Sequence, residues 1–373
     1  MFKDLFKNYI YPIAVFSGAM IGVGFLSLPY IALQSGIWIT LFYFVILTAL
    51  VVMINLIFCQ ISLDAPDFKR FPGFVGYYLG KRAEFFTMVL TILGSFGVLL
   101  IYILIGSQFL ASVFQPLFSG SELVYVLIYF FIVSIIIYFD IKVVARVELW
   151  VLVLLFLSLF FIFVESFSLI KLDNIFIDNR ITPNNFFLPY GPLLFALWGT
   201  GLIPEIEEML AKKKKHLKKI VTISTILISA FYFLFVLLIL GITGHGTQEA
   251  ALTGLKNLLP NFLISIALLI GVLVSLTAFI TQGILLKKTL MFDLRIKHWQ
   301  AFVMTCFTPL ILFLLGLKFI IPLISLTGGF LLGVDCILIL LIYKKIGGKN
   351  IIIYPLSLVF LLGAIYEVIN FIR

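Results

Sequence analysis

Apolar runs long enough to cross a lipid bilayer recur along almost the whole chain. A membrane-spanning helix needs about 20 consecutive, mostly apolar residues. The composition agrees with repeated spans, because 63% of the residues are hydrophobic, 12% are charged and the mean hydropathy is +1.22. Such a chain is far too apolar for a soluble protein, so we expect an all-α integral membrane protein. We predict eleven spans: 9–33, 37–62, 84–114, 123–139, 148–170, 188–209, 220–243, 261–286, 299–317, 319–343 and 351–371.

The positive charges indicate how these spans are oriented. With the N-terminus inside, 21 of the 26 lysines and arginines fall in cytoplasmic connections, as is usual for membrane proteins. The net charge of +9 therefore reflects topology, and we read the basic run at 212–219 as a cytoplasmic loop rather than a nucleic-acid site. The five basic residues left outside are Lys171, Arg180, Lys256, Lys318 and Arg373.

The first span cannot be a regular helix. It contains Gly18, Gly22 and Gly24, and each glycine in a helix interior costs about 1 kcal/mol. In a bilayer, the backbone groups that such a break frees are tolerated only where they are buried or line a cavity. We therefore predict a discontinuous first helix built around a ligand.

A second interruption lies in the sixth span. Gly199 and Gly201 are followed there by Pro204, much as Pro29 follows Gly24 in the first span. The first and sixth spans run in opposite directions in the predicted topology. Opposed halves that each begin with a broken helix are typical of inverted-repeat transporters, whose substrate binds between the breaks. We predict one transmembrane domain with five-helix repeats at 9–170 and 188–343 and an extra helix at 351–371.

Several of these segments resemble a known family. The run Gly18-Ala-Met-Ile-Gly-Val-Gly-Phe-Leu-Ser-Leu-Pro-Tyr30, followed by Gly36, resembles the opening helix of the amino acid/auxin permeases and the related bacterial aromatic amino acid permeases. The resemblance implies an amino acid transporter with eleven spans and a LeuT-type fold. Further matches are similar to the third, sixth and eighth helices and an outer loop of that family, at 97–106, 194–206, 277–279 and 241–255.

A zwitterion fits the two breaks without a charged pocket. Free N–H groups of about Gly22, Val23 and Gly24 favour a carboxylate. Unpaired carbonyl groups at about Ser17–Ile21, together with those around Ala196–Trp198 of the sixth span, can accept bonds from an α-ammonium. Aromatic side chains then select the rest of the substrate or simply pack, and the resemblance suggests Tyr102 as an outer lid. The predicted substrate-binding residues are Ser17, Ile21, Gly22, Val23, Gly24, Tyr102, Phe195, Ala196, Trp198 and Gly199.

Few ionisable or hydroxyl groups lie inside the spans, so each is a functional candidate. Glu205 either senses closure of an inner gate or pairs with a cytoplasmic lysine, and Asp335 carries a proton or ties the tenth span to a neighbour. In sodium-linked members of the wider fold, hydroxyls of the eighth span meet carbonyls of the first, which makes Ser275, Thr277 and Gly18 candidates. Such hydroxyls also cap their own helices. The resemblance to the bacterial aromatic permeases favours protons over sodium.

Two other classes of function remain as alternatives. A membrane-embedded enzyme would gather acid, base or metal-binding groups at one face, but His216, His245 and His298 fall in separate loops on both sides. We expect no metal, cofactor or catalytic residue. A sensor that keeps the permease fold is the other alternative. The sequence favours an ion-coupled amino acid transporter in the cell membrane. It leaves open the amino acid, the coupling ion, whether the protein works as a symporter or an exchanger, and the oligomeric state.

Overall fold

A computed structural model describes residues 9–66, 70–116, 118–139, 144–177, 182–256 and 258–372. The regular structure within these ranges is entirely helical. Eight helices there are long and apolar enough to span a membrane, and a bent helix pair at the start makes a ninth. Two shorter apolar helices, Glu122–Tyr138 and His298–Leu314, coincide with the predicted fourth and ninth spans. The helices are α1 (Tyr11–Met20), α2 (Leu28–Ser35), α3 (Ile37–Asp64), α4 (Phe71–Leu79), α5 (Lys81–Phe114), α6 (Glu122–Tyr138), α7 (Val144–Ser166), α8 (Tyr190–Ala196), α9 (Ile203–Leu210), α10 (Leu217–Thr243), α11 (Asn261–Phe292), α12 (His298–Leu314), α13 (Ile320–Ser325), α14 (Gly333–Lys345) and α15 (Asn350–Ile372).

The predicted break in the first span is confirmed. α1 ends at Met20, Gly22 is extended with φ −99° and ψ −169°, and a 3-10 turn at Val23–Ser27 leads into α2. The chain bends by 58° between the two halves. Pro29 lies in the first turn of α2, where its missing N–H costs no helical hydrogen bond.

The break in the sixth span is confirmed as well. α8 ends at Ala196, and a 3-10 turn at Thr200–Leu202 connects the loop to α9. The predicted tenth span shows a third irregularity that we did not predict, because α13 and α14 are joined by a π-helical segment, Leu326–Leu332. Such segments are frequent at functional sites.

The two broken spans pack against each other near the middle of the helix assembly. α9 contacts α1, and α8 contacts the 3-10 turn of the first break. α3 and α10 pack together along one side of the breaks, and α5 and α11 pack together along the other. Glycines allow the second pair to approach closely, since a Cβ at Gly106 would lie 2.3 Å from the Tyr129 ring and 2.5 Å from the Ser275 hydroxyl.

Candidate substrate site

A cavity of about 680 Å³ lies where the two breaks meet. That volume is within the range of small-molecule sites. Its walls come from both breaks, from α5 and α11, and from the π-helical segment with the start of α14. Of the residues predicted from sequence, Ser17, Val23, Ser275 and Thr277 do not line it. Those that do are Gly18, Ile21, Gly22, Gly24, Tyr102, Phe195, Ala196, Trp198, Gly199, Glu205 and Asp335.

The cavity extends from the breaks toward one end of the helix assembly. Its lining reaches Tyr11 at the start of α1 and Met209 near the end of α9. Leu90 in the first half of α5 and Leu285 in the last third of α11 also line it. The cavity therefore leads from the breaks toward the side on which α1 begins.

Two aromatic side chains lie directly on the glycines of the first break. A Cβ at Gly24 would be 2.5 Å from two ring carbons of Phe195, and a Cβ at Gly22 would be 3.2 Å from the Tyr102 hydroxyl. Val23 differs, because its side chain is fully buried in the core and leaves only its backbone for a ligand. Val23 and Gly24 begin the 3-10 turn, where the N–H groups have no intrahelical acceptors. Such N–H groups suit a carboxylate.

The structure corrects one expectation about the first break, which was that its carbonyl groups are unpaired. The N–H of Ile21 donates to the carbonyl oxygens of Ser17 at 3.2 Å and Gly18 at 3.1 Å. The carbonyl of Met20 accepts both the Gly22 N–H at 3.0 Å and the Tyr232 hydroxyl at 2.8 Å. A carbonyl oxygen has two lone pairs, so the Ser17 and Gly18 carbonyls can still accept a bond from an ammonium, whereas Met20 is fully used.

A buried polar network holds the second break. The Thr200 hydroxyl donates to Oδ1 of Asn55 at 2.7 Å, and Nδ2 of Asn55 donates to the Thr225 hydroxyl at 3.3 Å. All three residues are buried. Since Thr225 and Tyr232 both belong to α10, that helix braces both breaks. We did not predict Asn55, although an asparagine in the middle of an apolar span is a signal the sequence offers.

The breaks also touch each other. A Cβ at Gly199 would lie 2.7 Å from Cγ of Met20 and 3.1 Å from the Phe16 ring. Only a residue without a side chain allows α1 to approach the second break so closely. The glycine pattern in the two spans thus serves helix contact as well as backbone freedom.

Two acidic residues, one from each of the predicted sixth and tenth spans, line the cavity. Oε2 of Glu205 and Oδ1 of Asp335 are buried, and within the described ranges neither oxygen has a hydrogen-bond partner. Among the side chains that the structure describes, Glu207 is the carboxylate of α9 that pairs with a lysine: Lys214 Nζ lies 2.6 Å from its Oε1, and Ser62 donates to its Oε2. An unpaired buried carboxylate is costly unless it binds a proton or a cation.

Polar side chains that the sequence did not single out line the same cavity. Gln282 of α11 donates to the Ser95 hydroxyl of α5 at 3.0 Å. Thr327 of the π-helical segment lies over Gly97, where a Cβ would be 3.0 Å from its hydroxyl. Thr91 and Thr281 also line the wall. These groups are recognisable only once the neighbouring helices are known.

The hydroxyls proposed for a sodium site are directed into their own helix. Ser275 donates to the Val272 carbonyl at 2.8 Å, and Thr277 donates to the carbonyls of Val274 at 3.0 Å and Leu273 at 3.1 Å. Ser275 lies against Gly106 on α5. Neither hydroxyl lines the cavity, but each oxygen keeps lone pairs after donating its proton, so a bond to its own helix does not prevent it from binding a cation. Gly18, the third candidate, lines the cavity and packs against Leu152 of α7.

Comparison with known families decides the class of the protein. A family model described as transmembrane amino acid transporter protein matches residues 9–345. The chain belongs to this family. It is therefore a multi-pass integral membrane protein of a transporter family. Comparison with curated protein sequences gives no match.

Solved structures show the fold of this transporter-family chain. It is similar to MhsT in complex with L-phenylalanine, with a TM-score of 0.68, 13% identity and 97% of each chain covered. It also resembles the Eremococcus coleocola manganese transporter bound to an aromatic bis-isothiourea compound, with a TM-score of 0.69, 14% identity and coverage of 100% of this chain and 87% of that one. A third similar structure is that of Mhp1, a nucleobase-cation-symport-1 family transporter with bromovinylhydantoin bound. Its TM-score is 0.65 and its sequence identity is 11%, and the match covers 89% of this chain and 77% of that one. The shared fold is the LeuT type.

Proposed function

We propose that this protein is a secondary active transporter that moves an amino acid across the membrane by alternating access. The observation that carries the proposal is the cavity at the junction of the two broken helices, in a chain of the amino acid transporter family. The lining of that cavity extends from the breaks toward the side on which α1 begins, as expected of one of the two states that alternating access requires. The solved relatives differ in the ligands that they bind or transport, so the family match rather than those relatives supports an amino acid.

The substrate is held at its two charged ends by backbone groups. The N–H groups of Val23 and Gly24 bind the carboxylate, and the Ser17 and Gly18 carbonyls, with those near Ala196 and Gly199, receive the ammonium. Phe195, Trp198 and Tyr102 surround the substrate side chain. This assignment uses atoms that line or border the cavity and needs no charged side chain at the breaks.

Coupling to protons is favoured over coupling to sodium. Glu205 and Asp335 each present a buried, unpartnered carboxylate oxygen at the cavity wall and are the groups proposed to exchange a proton. The Ser275 and Thr277 hydroxyls, proposed for sodium together with Gly18, donate within their own helix. Neither hydroxyl lines the cavity, whereas both carboxylates do, and this difference supports the proton over the sodium alternative.

The proposed topology has eleven spans with the N-terminus inside. In this arrangement α1 to α7 form the first repeat and α8 to α14 form the second, while α15 is the extra helix. The two short apolar helices, α6 and α12, then count as spans. The bulk of the basic residues lies on the cytoplasmic side in this topology, which is the side toward which the cavity leads.

Uptake of a labelled amino acid mixture into proteoliposomes tests the proposal. The vesicles carry an inside-negative potential, with a proton gradient in one arm and a sodium gradient in the other, and protein-free liposomes serve as the control. One charge moving through 100 mV supplies about 2.3 kcal/mol, which corresponds to about fifty-fold accumulation. Gradient-dependent uptake supports transport and names the ion. Absence of uptake in both arms by folded protein contradicts the proposal and favours a sensor of the same fold over a transporter.

A further inference from the structure

A buried carboxylate ties the last helix to the broken sixth span. Glu367 of α15 is only 1% exposed. Its Oε1 accepts the backbone N–H of Gly191 at 3.1 Å. Gly191 is the second residue of α8, so its N–H is one of those that a helix start leaves without an intrahelical acceptor. The acceptor for this group therefore comes from a helix outside both predicted repeats.

The Glu367 side chain is clamped between two glycines. A Cβ at Gly329, in the π-helical segment, would lie 2.2 Å from Cγ of Glu367. A Cβ at Gly191 would lie 2.6 Å from Oε1 of Glu367 and 2.5 Å from the Ser325 carbonyl oxygen. Neither position has room for a side chain, so α8, the π-helical segment and α15 meet around this one carboxylate.

The same contacts continue to the substrate site. Phe195 follows Gly191 by one helical turn, and its ring lies on Gly24 of the first break. Behind it, a Cβ at Gly328 would be 2.8 Å from Cβ of Phe195 and 2.0 Å from the Gly191 carbonyl oxygen. A shift at the start of α8 therefore moves the Phe195 ring relative to the backbone that is proposed to bind the substrate carboxylate.

We propose that Glu367 is a positioning residue for the substrate site. Its carboxylate oxygen anchors the start of α8, and the anchored helix holds the Phe195 ring against the first break. The inference rests on the proposed transport function, to which it adds a role for the extra helix. Glu367 lies outside the cavity lining and acts through Gly191 and Phe195.

Three variants separate this role from a general loss of structure. Glu367→Ala removes the acceptor, Glu367→Gln keeps an acceptor oxygen of the same reach, and Glu165→Ala removes an exposed carboxylate from α7 as a matched control. Uptake is measured as a function of substrate concentration in proteoliposomes, with an amino acid that the wild-type protein transports. We expect Glu367→Ala to raise the half-saturating concentration about tenfold or more. Glu367→Gln should stay within about twofold of wild type, and Glu165→Ala should be unchanged. Wild-type saturation in Glu367→Ala, or an equal loss in Glu367→Gln, overturns the proposal.

A glycine substitution tests the same contact independently. Gly329→Ala should weaken substrate affinity in the wild-type background because its Cβ displaces Glu367 Cγ. In the Glu367→Ala background that atom is missing, so Gly329→Ala should add little. Such non-additivity is expected of two residues in direct contact. Additive effects of the two substitutions contradict the proposed clamp.

A thiol-reactivity measurement keeps the inference testable without transport. Ala196→Cys places a reporter at the end of α8, and the three native cysteines, Cys59, Cys306 and Cys336, are buried. A membrane-impermeant maleimide is added from the side opposite to the cavity mouth. Glu367→Ala should raise the labelling rate several-fold and Glu367→Gln should not; equal rates in all backgrounds overturn the inference. If the wild-type protein transports no amino acid, the proposed function fails while this measurement still decides whether Glu367 holds α8.

Discussion

The contact between Gly24 and Phe195 shows how one hydrogen atom in place of a side chain shapes the site. A methyl group at Gly24 would lie 2.5 Å from two ring carbons of Phe195, so the ring has to move out of its position in the cavity. We expect Gly24→Ala to weaken substrate binding about tenfold or more. Gly201→Ala is the matched control, because a Cβ there meets no atom within 4 Å. Binding to both purified variants in detergent is the measurement, and equal affinities would show that Phe195 does not belong to the site.

Thr200 provides a second test at the scale of the residue. Thr200→Val keeps the side-chain shape but leaves the buried Oδ1 of Asn55 without its donor. A buried polar atom that loses its partner costs about 1–3 kcal/mol. We expect a lower midpoint of thermal unfolding in detergent than for Thr289→Val, whose hydroxyl bonds only to its own helix at Leu285. A midpoint for Thr200→Val equal to that of the control would mean that the Asn55 network does not stabilise the second break.

The elements that the sequence predicts best are those whose signal is local. Gly22 and Gly24 each cost about 1 kcal/mol in a helix interior, so their close spacing favours a break at this point of the chain. Asn55, Gln282 and Glu367 differ, because their roles depend on which helices become neighbours. The sequence does not indicate that the carboxylate of Glu367 accepts a hydrogen bond from the first turn of a helix 176 residues away.

For hydroxyl groups inside a helix, the sequence predicts that they form a hydrogen bond but not with which partner. A threonine in an α-helix, such as Thr277, can donate its hydroxyl proton either to a preceding carbonyl of its own helix or to an acceptor on a neighbouring helix. The sequence contains both alternatives, and the structure adopts the first. The choice is made by the χ1 rotamer that the neighbouring helices leave to Thr277, and the sequence of an almost wholly apolar helix does not specify those neighbours.

The short helix α12 gives a prediction at the scale of the element. Its 17 residues correspond to about 26 Å of helix, slightly less than the roughly 30 Å of a hydrocarbon core. In the proposed topology α11 and α12 both span, so a cysteine at Lys318 should be labelled from the same side as one at Gly246. A cysteine at Lys349 should be labelled from the other side. Labelling of intact and inverted vesicles with a membrane-impermeant thiol-reactive reagent decides this. If the cysteines at Lys318 and Gly246 are labelled from opposite sides, α12 does not span the membrane.

At the scale of the whole molecule, the cavity lining extends from the breaks toward the side on which α1 begins. In the proposed orientation that side is the cytoplasm, and Ala278 of α11 lies in the wall between the breaks and the cavity mouth. Alternating access requires the substrate to shift the population between two states, and a ligand does so only by its difference in affinity for them. The reactivity of a cysteine at Ala278 therefore reports the state of the entire assembly.

We expect Ala278→Cys to react with an impermeant maleimide in inverted vesicles and to be protected in intact ones. A transported amino acid should change the inside rate by about tenfold, corresponding to ~1.4 kcal/mol of differential affinity. Ala267→Cys on the same helix is the control, because its position is 1% exposed and lies outside the cavity lining. Reaction of Ala278→Cys from the outer side alone would reverse the proposed orientation of the molecule. A transporter that binds its substrate in this cavity has to expose the position of Ala278 in one state and bury it in the other. If no transported substrate changes the rate at which Ala278→Cys reacts from the inner side, alternating access through this cavity is contradicted.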